Sequence, residues 1–177
     1  MPLIPSRPPS GAPRTPRPDC CVFCSIAAGA PSATTPLLAR SPDARLVAFA
    51  DARPAARMHL LVVPVAHIEH VYDLEGGEDE KLLTDMVAFG QATARAQAAA
   101  AGRPPPRLKT GFHYPPLYSV PHLHLHVFAL PHDSLRSAVR FIRSPGPALW
   151  FATPDQVRRR LVARPGERRG KGGGRES

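Results

Sequence analysis

Three histidines recur at alternate positions in the segment Pro121-His122-Leu123-His124-Leu125-His126-Val127. In an extended strand, residues i, i+2 and i+4 project from one face, with successive members about 6.5–7 Å apart. The opposite face of that strand carries Leu123, Leu125 and Val127 and is predicted to bury against a helix. A rigid apolar scaffold would thus present three imidazoles together, as a catalytic constellation requires. Three readings of the imidazole face stand side by side. The first is chemistry by a neutral imidazole acting as nucleophile or proton carrier. The second is a metal site, because histidine is a common ligand and strand neighbours two apart can converge on one ion. The third is a polar strand face in water.

Other residues able to do chemistry lie upstream. Cys20, Cys21 and Cys24 are too close together to staple distant parts of a fold, which fits a reducing compartment. Asp51 follows the apolar run Arg45-Leu46-Val47-Ala48-Phe49-Ala50, which reads as a strand. His59 opens the run His59-Leu60-Leu61-Val62-Val63-Pro64, the pattern of a buried strand closed by a proline. His70, His113 and His132 read as solvated loop or surface residues, with His113 near enough to Ser119 to border the site.

The elements that must position these groups follow from pattern. Residues 21–27 read as a short helix or turn. Leu82, Leu83, Met86, Val87, Gly90 and Ala94 recur at helical spacing, behind the acids Glu78, Asp79 and Glu80. Gly102 and three prolines stop that helix after about six turns. Residues 110–116 read as a loop leading to a histidine strand at about 119–129. Residues 148–152 read as a further short strand. Thr153-Pro154 reads as a helix start whose helix turns Val157, Leu161 and Val162 inward.

The net charge of +9 is carried by the ends. Residues 1–18 contribute +3 and residues 157–177 contribute +6, so the part between them is neutral. Seven prolines among residues 1–18 exclude the amphipathic helix of a transit peptide. The predicted organisation is a Pro-rich disordered tail at 1–18, one domain at 19–157 and a basic disordered tail at 158–177. A neutral domain offers no nucleic-acid groove, so only weak, sequence-independent contacts through the tails are expected. No stretch is apolar enough to span a bilayer, and no membrane partner is expected.

The segment Ser119-Val120-Pro121-His122-Leu123-His124-Leu125-His126-Val127 closely resembles the signature of the histidine triad family. Cys21-Val22-Phe23-Cys24, Phe49-Ala50-Asp51, the strand at 59–64 and His67-Ile68 fall in the family's order, and the resemblance covers about 19–157. It implies an α+β fold: an antiparallel sheet with one long helix and a short N-terminal helix, pairing into a homodimer. It also implies a purine nucleoside phosphoramidase that cleaves the P–N bond of adenosine 5′-monophosphoramidate-type substrates. By position, His124 is the nucleophile, Ser119 and His126 meet the phosphate and leaving group, and His59 and His122 help set the nucleophile. Asp51 would hold the ribose hydroxyls, Ala52 would line the base pocket, and Phe23, Ile26 and Phe49 would pack on the base. No cofactor is required for that chemistry. Some relatives carry a structural zinc, for which Cys21, Cys24, His67 and His122 match the ligand positions. A cytoplasmic location, with nuclear presence as well, is the accompanying expectation. A mononucleotide-binding module with weak catalysis is the alternative, because the chain departs from the pattern at three places. Many members have an Asn eight residues before the triad Ser and a Gly-Gln pair just before it; here these positions are Gly111, Leu117 and Tyr118.

Overall fold

The computed structural model describes residues 14–17, 19–30, 33, 35–114, 119–142 and 150–163. The elements are helix α1 (Val22–Ala28), strands β1 (Leu37–Arg40), β2 (Leu46–Ala50) and β3 (Ala56–Pro64), and helix α2 (Glu78–Ala100). Strands β4 (Leu108–His113) and β5 (Leu125–His132), helix α3 (Leu135–Arg140), strand β6 (Phe151–Ala152) and helix α4 (Pro154–Ala163) complete them. The six strands form one sheet in the order β1-β2-β3-β5-β4-β6, and every pairing is antiparallel. No helix among the described residues is long and apolar enough to cross a membrane.

Strand alternation divides the sheet into two faces. Leu46, Ala48, Leu60, Val62, Leu125 and Val127 pack in the cluster that also holds Leu83 and Met86 of α2. Val47, Phe49, Leu61 and Val63 point the other way and are covered by Phe23, Cys24, Ile26 and Ala27 of α1. The 23 residues of α2 span roughly 34 Å. Gly90 lies where the helix crosses the sheet: a Cβ there would sit 2.8 Å from a Val127 methyl and 2.9 Å from a Val62 methyl. The helix ends as its sequence predicts. Gly102 adopts φ +63°, its N–H bonds to Ala99 O, and Arg103 N–H bonds to Ala98 O, the paired bonds of a Schellman ending.

The structure departs from the sequence expectations in several places. The ladder of the histidine strand begins at Leu125, so His126 lies within it while His122 and His124 belong to a lead-in that bends at 119–122, where His122 N–H bonds to Val120 O. Residues 108–113 form β4, not a loop, because Leu108 through Gly111 pair with β5. Pro115, Pro116, Leu117 and Tyr118 lie outside the described residues, as do 1–13 and 164–177, on which the disorder of both ends was expected. Arg14, within the N-terminal segment read as a tail, hydrogen-bonds both oxygens of the buried Asp79 carboxylate. The final helix carries folded chain past residue 157 to Ala163. It starts on a reciprocal cap, in which Gln156 N–H bonds to Thr153 Oγ1 at 3.3 Å and Thr153 N–H to Gln156 Oε1 at 2.9 Å. Val157 and Leu161 are buried, but Val162 is exposed, since one residue beyond Leu161 rotates it about 100° off the inward stripe.

Candidate functional site

The site is built where α1, the loop after β3 and the lead-in to β5 meet. Cys21 and Cys24 stand at the start of α1, His67 follows β3, and His122 lies on the lead-in. Cys21 Sγ is 3.4 Å and Cys24 Sγ 3.5 Å from His122 Nδ1, and Cys24 Sγ is 3.3 Å from His67 Nδ1. All four residues are buried, and their donor atoms lie within 4.8 Å of one another. A zinc tetrahedron with Zn–S near 2.3 Å and Zn–N near 2.05 Å has an S···N edge of about 3.5 Å. The donor set therefore fits zinc in type, number and spacing. The outer hydrogen bonding fits as well, because His122 Nε2–H donates to Pro64 O at 2.9 Å and leaves the Nδ1 lone pair facing the thiols. Burial pushes His122 down to about 4, lowers His67, and pushes the Cys24 thiol up to about 11. The imidazoles are thus ready ligands, whereas the Cys24 thiol must lose its proton as metal binds.

His124 follows two residues later. Its Nδ1–H donates to the carbonyl of His122 at 2.6 Å. The neutral ring then carries its lone pair on Nε2. Burial lowers its pKa, which keeps the neutral form present at physiological pH. The Phe23 ring stands edge-on to His124 at 5.3 Å and to Phe49 at 5.3 Å, joining the α1 cluster to His124. Ile26 and Phe49 are buried beneath it. Ser119 is exposed in the bend ahead of His122, and no hydrogen bond from it to the histidines is present among the described residues.

A second group lies farther along β5. His126 faces Leu61 of β3 and Gly111 of β4. Its Nδ1 is 2.8 Å from His59 Nε2 and its Nε2 is 3.1 Å from His113 Nδ1. Asp51 leaves β2 so that Oδ2 lies 3.4 Å from His59 Nε2 and 3.9 Å from His126 Nδ1, while Oδ1 accepts the Arg53 N–H at 2.8 Å. Ala52 beside it is exposed. Asp51, His59 and His126 also have the composition of a metal site. The hydrogen bonding opposes that use. Ala55 N–H donates to His59 Nδ1 at 3.2 Å, so a neutral His59 carries its hydrogen on Nε2, the atom a metal would need.

Three neighbours of this group had no role assigned from sequence, although His113 was expected to border the site. His113, expected on a solvated loop, is buried on β4. Phe141, following α3, stands 5.3 Å from the His126 ring and 5.7 Å from His59. Phe151 of β6 pairs with His113 and fills the space above Gly111. The signal for His113 was the same period-two alternation that picked out the triad, applied to 109, 111 and 113 once these residues are known to be a strand.

Residues 20–141 match the family model for the C-terminal binding region of the scavenger mRNA decapping enzyme. A structure of a histidine triad (HIT) family hydrolase from Legionella pneumophila superposes with a TM-score of 0.52 at 27% identity, covering 66% of this chain and 98% of that one. The chain belongs to the histidine triad family. This is a family of hydrolases, and the α+β sheet described above is its fold. Among HIT relatives, the Arabidopsis thaliana bifunctional adenosine 5′-phosphosulfate phosphorylase/adenylylsulfatase HINT4 is 41% identical, over 77% of this chain and 88% of that protein. The Xenopus tropicalis adenosine 5′-monophosphoramidase HINT3 is 35% identical over 81% of this chain and 88% of that protein.

Proposed function

We propose that the chain hydrolyses the P–N bond of adenosine 5′-monophosphoramidate-type substrates to AMP and an amine, through a nucleotide covalently held on His124. The observation that carries this reading is the 2.6 Å bond from His124 Nδ1–H to His122 O, which leaves Nε2 as the one nitrogen able to attack. In the first step Nε2 forms a bond to the α-phosphorus, the P–N bond breaks, and the amine departs with a proton taken up from solvent, balanced by the proton that the attacking water releases in the second step. In the second, water attacks phosphorus, the Nε2–P bond breaks, and AMP leaves. Splitting one displacement into two lowers each barrier.

In this reading His126 would meet the leaving group and Ser119 the phosphate, and His59 and His122 would orient the two reactive histidines. Asp51 would take the ribose hydroxyls with its carboxylate, whose Oδ1 also accepts the Arg53 N–H. Phe23 would cover the base, supported by Ile26 and Phe49 and bordered by Ala52. Cys21, Cys24, His67 and His122 would hold a zinc ion, whose contribution is a structural cross-link between α1 and the segments that flank the sheet. A two-fold dimer belongs to the same reading, and sedimentation at micromolar concentration tests it.

A sulfate leaving group is the second reading, favoured by the 41% identity to the Arabidopsis adenylylsulfatase. Both readings pass through the same histidine. Brief mixing with tryptamine-adenosine phosphoramidate or adenosine 5′-phosphosulfate, followed by mass spectrometry, separates them. The expected result is adenylate on His124 with the phosphoramidate, no adduct on a His124→Ala protein, and AMP binding by that variant within a few-fold of the parent. Asp51→Ala is expected to weaken AMP binding about tenfold, with a smaller effect on the chemical step. Turnover of a tenth or more in His124→Ala would overturn the assignment.

A further inference from the structure

The hydrogen bonds around His126 form a chain whose direction can be assigned. It starts at Ala55 N–H, which can only donate, and enters His59 at Nδ1. His59 therefore holds its hydrogen on Nε2 and offers it to His126 Nδ1, the shortest contact of the group. His126 in turn carries its hydrogen on Nε2, which faces His113 Nδ1. One backbone amide thus sets three tautomers in succession, and each assignment follows from the one before it. Resting on the proposed function, we propose that His113 is a positioning residue for His126: by accepting its Nε2–H, it holds the tautomer and ring orientation of His126 beside the leaving-group side of the site.

His113 is itself built in. It is 8% exposed, with its ring 4.9 Å from Phe141 and 5.3 Å from Phe151. Its strand is fixed against β6 by the His113–Phe151 pairing and by Tyr114 N–H donating to Trp150 O at 2.9 Å. The segment after α3 is tied down in the same place. Lys109 Nζ donates to Phe141 O at 2.6 Å, and Trp150 Nε1–H to Ile142 O at 2.7 Å. The acceptor that His126 meets therefore has little freedom to move away. The same arrangement explains how a chain with Gly111 at the family's Asn position can keep a polar partner beside the triad. Gly111 is directly opposite His126, and the space above it belongs to Phe151, so the polar group comes from His113, two residues on and on the same face.

Packing alone and hydrogen-bond acceptance predict opposite rankings of two variants. His113→Phe keeps an aromatic ring among Phe141 and Phe151 but has no acceptor. His113→Asn loses the ring but places Oδ1 near the position of Nδ1. If His113 positions His126, His113→Asn keeps kcat for the tryptamine phosphoramidate within about threefold of the parent. His113→Phe then loses about tenfold or more in kcat with KM within about twofold, a modest share of the ~10²–10⁴ carried by a full proton-transfer group. A Phe variant equal to or better than the Asn variant overturns the proposal. Nitrogen-15 NMR of the histidine rings decides it independently of turnover and of whether either variant folds. The wild-type protein is expected to show His126 as the Nε2–H tautomer, and an Nδ1–H or mixed tautomer overturns the proposal. If the wild type fails to cleave the phosphoramidate, the proposed substrate fails, while the ring spectra still test the role of His113.

Discussion

Gly111→Ala adds one methyl group beside the triad and is expected to cost far more than a surface methyl. Gly111 does not adopt a left-handed φ, so no conformational demand explains the glycine; space does. A Cβ there would lie 2.4 and 2.5 Å from two carbons of the Phe151 ring and 2.6 Å from Ala152 O. Carbon atoms prefer roughly 3.5–4 Å, so the overlap with the ring is about 1 Å. The ring is fully buried, with Phe141 edge-on at 5.5 Å and His113 at 5.3 Å, and so has nowhere to turn. Ala152 O is backbone, held by the pairing of β6 with β4. Relief therefore requires β6 to shift, which places the cost near the top of the ~1–3 kcal/mol typical of overpacking. At about 2–4 °C per kcal/mol, the melting temperature should fall by roughly 6–12 °C. Calorimetry is the assay, with Phe151→Ala and the double variant closing a cycle. Phe151→Ala alone should cost about 3–5 kcal/mol, and the double variant should cost less than the sum by about 1 kcal/mol or more. A melting point for Gly111→Ala within about 2 °C of the parent, or additivity within about 0.5 kcal/mol, would refute the steric argument. Gly111→Asn should fare no better, because the Phe151 ring occupies the path of its side chain.

Three other outcomes are expected. Protein reconstituted with zinc and dialysed should retain about one ion per chain by elemental analysis, and Cys24→Ala should retain little; a wild-type protein that keeps none would remove the metal reading. Because burial lowers the His124 pKa, its neutral form should persist as pH falls through about 6.5, where an ordinary histidine is half protonated. The rate of adenylate formation on His124 should accordingly hold nearly level down to that pH and fall only below it, and a half-maximal point above 6.5 would contradict the shift. Ending the chain at residue 157 removes buried Leu161 and the Arg160 guanidinium stacked 4.0 Å from the Tyr72 ring, whereas ending it at 163 keeps both. The shorter chain should be less stable by about 2–4 kcal/mol in urea titration, and equal midpoints would place the domain's end at the earlier residue.

Several features were legible without coordinates because they are local. The helical spacing from Leu82 to Ala94, with Gly102 behind it, specified α2 and its termination. The run from His59 to Pro64 specified the central strand β3. Alternation alone placed His122, His124 and His126 on one side of an extended segment, and their types limited the chemistry to nucleophile, proton carrier or ligand. Other features depend on residues far apart in the chain. Cys21 meets His122 across 101 positions, and Cys24 and His67 join them only because β3 and β5 are neighbours in the sheet. β1 and α3 are too short and too irregular in pattern for periodicity to reveal them. His113 read as a loop residue because its strand is defined by pairing with β5 and β6, and neither register is visible in composition. The sequence by itself determined which imidazoles stand on one face and which of them is central, because side-chain direction along an extended chain is a local property. Only the tertiary structure decided which nitrogen of His126 and of His122 carries its hydrogen, because each is set by a partner on another element: His59 and His113 for His126, and Pro64 for His122.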